Sequence, residues 1–319
     1  MTVREKIYNG LFIASDLRQF LLARPILELR VHSVFETSVN LLTQEEELVT
    51  FASSGRDIMP MGMVAAVPGV SVWGLRAGDT LSSDGRLVFN LPRGAGSIWL
   101  KDAHVRPVSL TQPLQVKCSP GIMALDLIKT KLLLANADGI SPLIAWMPEG
   151  DTPPSTRKGN VYCTFIYRDL ELFLKVLVSD KPEHALDLTE RLIGFGPGLT
   201  PSCDDFLAGI LLSLFYDSPW GNDANNGLRE NLERVAVIAR DRTTLVSYHM
   251  LRHAASGRAN EAYLELLRAI VEDDLDALDS LIERVLAYGS SSGADFLFGL
   301  YCARKISADN IRTSRSDSE

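Results

Sequence analysis

The feature that most constrains this chain is a change of hydrophobic period close to Lys117. From about Glu28 to Leu114, apolar residues fall in short β-type runs: LRVHSVFETSVNLL, LVTFA, MVAAVPGVSVWGL, GRLVFNL and SIWLKDAHV. The breakers between them, SSGRD, RAGD and SSDGR, supply the glycines that tight turns demand. After Lys117, GIMALDLIKTKLLLANA and then DLELFLKVLV, EHALDLTERLI, DDFLAGILLSLFY, LRENLERVAVIA, TTLVSYHMLRHAA, EAYLELLRAIV and DALDSLIERVLA repeat at helical spacing. A chain that alternates by two and then by 3.6 belongs neither to one sheet nor to one bundle. The expectation is therefore an α+β protein, with a β-rich, barrel-like or small-sheet domain over 1–117 and a mainly helical domain over 118–319.

The length of 319 residues suits two cores, since single cores stop growing near 250 to 300 residues. Within the second half, PEGDTPPSTRKGN at 148–160 reads as a solvated loop, because its prolines and glycines oppose regular structure. The last residues, IRTSRSDSE, read as a frayed end.

A formal charge of −8 opposes nonspecific attraction to a phosphate backbone, so a small molecule is the expected partner rather than nucleic acid. Cys118, Cys163, Cys203 and Cys302 are scattered without a C-x-x-C pair, which points to reduced thiols and away from a zinc ribbon. The first 22 residues carry charges where a signal peptide needs an apolar stretch, and no run reaches the roughly 18 apolar residues of a membrane span. A cytoplasmic location, with no membrane partner, is the expectation.

Chemistry concentrates in GFGPGLTPSCDD, from Gly194 to Asp205. Three glycines, Gly194, Gly196 and Gly198, allow a sharp turn and close approach of main-chain N–H groups to a bound group. Ser202 followed by Asp205 resembles a capping box that starts the helix. A glycine turn feeding a helix N-terminus favours an anion such as phosphate or carboxylate, with Thr200 and Ser202 as hydroxyl donors. Asp204 is assigned to the site and Asp205 to capping. A bare glycine pattern without a following lysine excludes a Walker A reading, and a well-capped buried helix explains the same residues without function.

The segment echoes itself near the C-terminus: SCDDFLAG at 202–209 and SGADFLFG at 292–299 agree at five of eight positions, with Ser291, Ser292 and Gly293 supplying a second flexible lead-in. Ser292 and Asp295 repeat the cap, and Gly209 and Gly299 lie where helices can approach closely. Two such helix starts can converge on one ligand if they lie within about 15 Å, half the span of a twenty-residue helix. His249 and His253, four apart on one helix face, lack a third ligand, so no metal is expected there. Thr243 and Thr244 follow Asp241 at a helix start, where they can cap it or, for Thr244, contact an anion.

Three patterns together carry a family resemblance: G-x-G-x-G-L-T-P-S-x-D-D-F-L-A-G from Gly194, T-T-x-x-S-x-x-x-L-x-x-A-x-x-G at Thr243 to Gly257, and G-x-S-S-G-A-D-F-L at Gly289 to Leu297. With VHSVFETSVNLL at 31–42, the chain resembles the AllH-like family. One member of that family is regarded as a subunit of oxamate carbamoyltransferase in allantoin breakdown, where oxalurate and phosphate give oxamate and carbamoyl phosphate. The resemblance implies a carbamoyltransferase subunit working with partner subunits or as a homo-oligomer, without a cofactor. For that chemistry the glycine turn would hold phosphate, and Arg242, Arg252 or Arg258 would supply a cation. Two other classes fit the same residues. One is an ATP-dependent kinase, with magnesium near Asp204; the other is a non-catalytic metabolite-binding or assembly protein.

Overall fold

The computed structural model describes residues 6–24, 26–83, 85–110, 122–135, 137–147, 160–177, 183–217 and 226–316. Cys118 and the expected loop at 148–159 lie outside them. The chain divides into two compact units, Met1–Ser109 with Ala259–Glu261, and Leu110–Arg258 with Ala262–Glu319.

The first unit is a barrel of eight strands with one extra strand. β1 (Ile7–Ala14), β2 (Leu27–Val34), β3 (Ser38–Leu42), β4 (Leu48–Ala52), β5 (Gly62–Ala65), β6 (Thr80–Ser83), β7 (Val88–Asn90), β8 (Ser97–Trp99) and β9 (His104–Arg106) run in the order β5-β4-β3-β2-β6-β7-β8-β1-β9. An added β1–β5 pairing, with Phe12 opposite Val64, closes the ring. Closure removes the exposed strand edges that invite association. β1 does this by pairing antiparallel to β5 and parallel to β8 along its first half, then parallel to β9 along its second. A bulge between Gly10 and Phe12 accompanies the changeover.

Inward residues of the strands meet in an aromatic centre. Phe51 lies 5.0 Å from Phe89 and 6.5 Å from Trp73 between ring centroids, all three fully buried. The β reading that begins at Glu28 leaves out β1 and the short helix α1 (Ser15–Leu22). In α1, Leu17 and Leu21, one turn apart, are buried. Asp16 at its start accepts hydrogen bonds from the Leu17 and Met61 amides.

The second unit holds α2 (Ile122–Leu134), α3 (Val161–Leu177), α4 (Glu183–Leu192), α5 (Ser202–Asp217), α6 (Asn226–Ala239), α7 (Leu245–Ala255), α8 (Glu261–Glu272), α9 (Leu275–Leu286) and α10 (Ser292–Ser316), with a 3-10 turn at Ser141–Ala145. Each helical run read from the sequence is a helix here. The C-terminal end differs from the frayed expectation, since α10 continues through Ser316.

α5 is buried from Ser202 through Ser213 and crosses α10 backbone to backbone. A side chain at Gly209 would collide with the Leu300 nitrogen, 2.7 Å away, and one at Gly299 with the Phe206 carbonyl. The two glycines are therefore the packing contact that the echo suggested. Phe206 and Phe298 fill the flank of the crossing, 5.1 Å apart between centroids.

Candidate functional site

The glycine turn is shaped by its backbone. Gly194, Gly196 and Gly198 have φ of 81°, 114° and 102°, a region that side chains disfavour. A side chain at Gly194 would also meet the Arg242 carbonyl at 2.5 Å, so the α6–α7 connection lies against the turn. The turn carries the chain from α4 into α5, where the Pro201 carbonyl accepts from the Asp204 and Asp205 amides.

The carboxylates behind the turn face inward. Asp204 is fully buried; one of its oxygens accepts from the Gly194 amide at 2.8 Å and the other from the Thr243 hydroxyl. Asp205, also buried, accepts from the Thr200 hydroxyl at 3.0 Å. Asp295, at the start of α10, accepts from the Ile140 and Ser141 amides, both at 2.8 Å. Each carboxylate thus occupies donors that a helix start and its lead-in would otherwise offer to an external anion.

This differs from the capping boxes read from the sequence. Ser202 faces the Asp295 carboxyl of α10 rather than Asp205, and Asp205 turns to Thr200 and α10. Likewise Asp295 turns to the 3-10 turn rather than back to Ser292. A capping box is local, whereas the amides that Asp295 takes come from another element, so there the fold overrides the local pattern. Both oxygens of Asp204 accept from the chain's own groups.

Burial is the main force on the acidities here. It raises the Asp204 carboxyl against the pull of Thr243, the Gly194 amide and Ser247, and raises Asp205 well above the carboxylate range, with Asp295 adding repulsion. Asp295 is pushed up to about 6, burial outweighing Ser202 and the Ser141 and Ile140 amides. For Cys203, burial and then the Asp295 and Asp204 charges raise the thiol well above its ordinary value, so the helix start does not make it a thiolate.

The two turns meet. Thr200 Oγ1 lies 2.9 Å from Ser292 Oγ, well inside the 15 Å that convergence requires. Thr200, Thr244 and Ser292 are half-buried, and Leu199 at the tip is 50% exposed. Thr244 caps α7 by accepting from the Ser247 amide, and its hydroxyl donates to the Leu199 carbonyl at 2.9 Å. Ser291 is buried beside Asp295. Gly293 sits where a side chain would strike the Val285 carbonyl, and its amide bonds to the Tyr288 carbonyl. Gly194, Thr200, Thr244, Ser291, Ser292 and Gly293 therefore belong to one neighbourhood.

Among the three arginines, the Arg242 backbone touches the turn, and its guanidinium donates to Glu190 at 2.8 Å. Arg258 donates to Ser256 at 3.1 Å, and Arg252 stacks over Tyr248. His249 and His253 are both buried with ring centroids 6.3 Å apart. Among the described residues, no three His, Cys, Asp or Glu side chains group as a metal site. No described helix is long and apolar enough to cross a membrane.

Sequence reasoning missed Ile140, Ser141 and the 3-10 turn as partners of the α10 start. The pairing spans 155 and 154 residues of sequence, and only the Pro142 turn signal marks the segment at all.

Fold and site together define a two-unit α+β protein in which an N-terminal barrel precedes a helical unit built around two converging helix starts. Residues 192–304 match the family model described as oxamate carbamoyltransferase subunit AllH, and residues 9–110 match the AllH family N-terminal domain. The chain belongs to the AllH family. Its family is thus that of a carbamoyltransferase-related subunit, consistent with partner subunits in a larger enzyme. No solved structure matches it.

Proposed function

We propose that this chain is a subunit of a carbamoyl-transferring enzyme of the oxamate carbamoyltransferase type, and that it handles phosphate or carbamoyl phosphate on the outer rim of the two converging turns. The observation that carries this reading is the 2.9 Å contact between the Thr200 and Ser292 hydroxyls, which joins the two helix starts at a half-buried position. Beside it lie the Gly196–Gly198 backbone and the Thr244 hydroxyl, which would exchange the Leu199 carbonyl for an oxyanion. Asp204 and Asp205 act in this reading by holding the turn, through Gly194, Thr243 and Thr200, rather than by touching substrate. Arg242, whose backbone lies against Gly194, would serve as the cation for a substrate carboxylate once it exchanges Glu190 for the ligand. No observation favours nucleotide with magnesium, because Asp204 and Asp205 are buried and hydrogen-bonded.

The test is a thermal-shift series on the chain, alone and with its partner subunits, using phosphate, carbamoyl phosphate, oxamate, oxalurate, and ATP with and without magnesium. Stabilisation by carbamoyl phosphate or oxalurate is expected, and the ligand increment should vanish in Thr200→Val and Ser292→Ala. An increment only with ATP and magnesium would move the reading to a kinase. No increment in either preparation would leave an assembly role.

A further inference from the structure

Closure of the barrel leaves one strand outside the ring. β9 pairs with β1 alone and stands at the end of the sheet order, so its other edge carries no ladder among the described residues. All three of its residues are exposed. His104 and Arg106 share one face with Phe12 of β1: the His104 and Phe12 rings lie 6.3 Å apart between centroids, and the Arg106 guanidinium sits 4.8 Å from the centre of the Phe12 ring. Val105 takes the opposite face, as strand alternation requires, and is 49% exposed there. β9 is thus open on both faces and along one edge, and such an edge is a template for pairing with another chain.

Positive charge collects around this edge, although the chain as a whole carries −8. Residues 97–110 hold Lys101, His104 and Arg106 against Asp102 alone. Lys101 lies over the exposed Trp99 ring of β8 at 5.4 Å, and α1, which packs against β1 and β9, sets Arg24 over Phe20 at 3.6 Å. Arg24, Lys101 and Arg106 form no ion pair among the described residues, whereas Arg93, Lys131 and Arg284 do. Aromatic and arginine side chains of this kind are enriched at protein interfaces, and cations left unmatched select a partner of opposite charge. A second copy of β9 is a poor occupant, because it would set histidine and arginine against histidine and arginine, and like charges directly opposite one another destabilise a sheet. Nucleic acid is disfavoured by the charge of the whole chain and gains nothing from an exposed valine.

We propose that β9 is the docking edge for an extended acidic segment of a different protein chain, which adds as a strand with carboxylates opposite His104 and Arg106 and an apolar residue opposite Val105. Main-chain hydrogen bonds along the edge supply the attachment, and the alternation of charge and apolar contact supplies the selectivity. The proposal is independent of the carbamoyl-transfer reading, since it concerns the barrel unit alone and is read by binding without turnover.

The test is binding of a fluorescein-labelled peptide of alternating glutamate and valine, about six residues long as strands commonly are, to the full chain, followed by anisotropy. Binding is expected, and it should weaken about tenfold or more when His104→Glu and Arg106→Glu are combined. Both side chains are exposed, so that variant should keep the melting midpoint of the parent chain. Two further peptides give a readout that needs no variant. Methylation of the peptide nitrogens keeps the carboxylates but removes the main-chain donors, and a block order of glutamates followed by valines keeps the composition but removes the alternation. Each should bind about tenfold more weakly or worse. No binding of the alternating peptide at about 1 mM, or equal affinity for the methylated or the block peptide, would overturn the proposal, as would full affinity in the double variant. Tighter binding of an oligothymidylate of the same length would assign the surface to nucleic acid and overturn it. So would a concentration-dependent dimer in sedimentation that the double variant abolishes, which would assign the edge to a second copy.

Discussion

At the residue scale, the site is governed by what happens to a carboxylate when it loses water. Asp204 is retained because two donors, the Gly194 amide and the Thr243 hydroxyl, point at it. Asp204→Ala would leave both unmatched and should cost about 2 to 4 kcal/mol in urea unfolding. Asp295 gives a pH signature. Its folded value, about 6, lies above the ordinary carboxyl value of 3.8, so the folded state binds the extra proton between the two. That contribution is fully present below pH 3.8 and is lost as pH rises through about 6, on the order of 3 kcal/mol. Subtracting the stability–pH curve of Asp295→Asn from that of the parent chain should expose this falling limb; a flat difference would refute it. His253 acts in the opposite direction. Burial, then Arg258 and Arg252, depress its value well below 6.5, so its contribution is present above 6.5 and is lost progressively as pH falls from there through the depressed value. His253→Leu should therefore gain stability relative to the parent chain at pH 5 compared with pH 8, measured by thermal melts at each pH.

At the element scale, α5 and α10 show how a local preference yields to packing. In an isolated helix, glycine to alanine gains up to about 1 kcal/mol. Here the added carbon of Gly209→Ala or Gly299→Ala would strike the backbone of the opposite helix, at Phe296 and Leu300 or at Phe206. Overpacking costs about 1 to 3 kcal/mol, so each substitution should destabilise the chain, and the sign of the change in urea midpoint decides between the two effects. The helices themselves were legible because their apolar spacing is long and regular. β1 and α1 were not, since IYNGLFIA is broken by Asn9 and Gly10 and acquires its meaning only from β5, β8 and β9.

At the scale of the whole molecule, the barrel unit is not a single continuous stretch of chain. Ala259–Glu261, far along the chain, belongs with the barrel unit, where its Ala259 and Glu261 amides donate to the Val108 and Ile58 carbonyls at 3.2 and 3.1 Å. A fragment of residues 1–109 therefore lacks two donors that the intact unit possesses. Hydrogen exchange in β4 and β5 should be faster in that fragment than in the full chain, while equal protection would show that the segment contributes nothing.

The sequence by itself determined the order of a β unit and a helical unit, the helices of the second half, the glycine turns and the paired glycines of α5 and α10, because period, turn chemistry and close approach are written in neighbouring residues. Only the tertiary structure decided the partners of the carboxylates. The sequence offers Ser202 and Ser292 as local caps, but Asp205 bonds Thr200, which in turn meets Ser292, and Asp295 bonds Ile140 and Ser141. Once buried, a carboxylate must take whichever donors the fold brings to it: Thr243 reaches Asp204 from 39 residues away, and Ile140 and Ser141 reach Asp295 from more than 150.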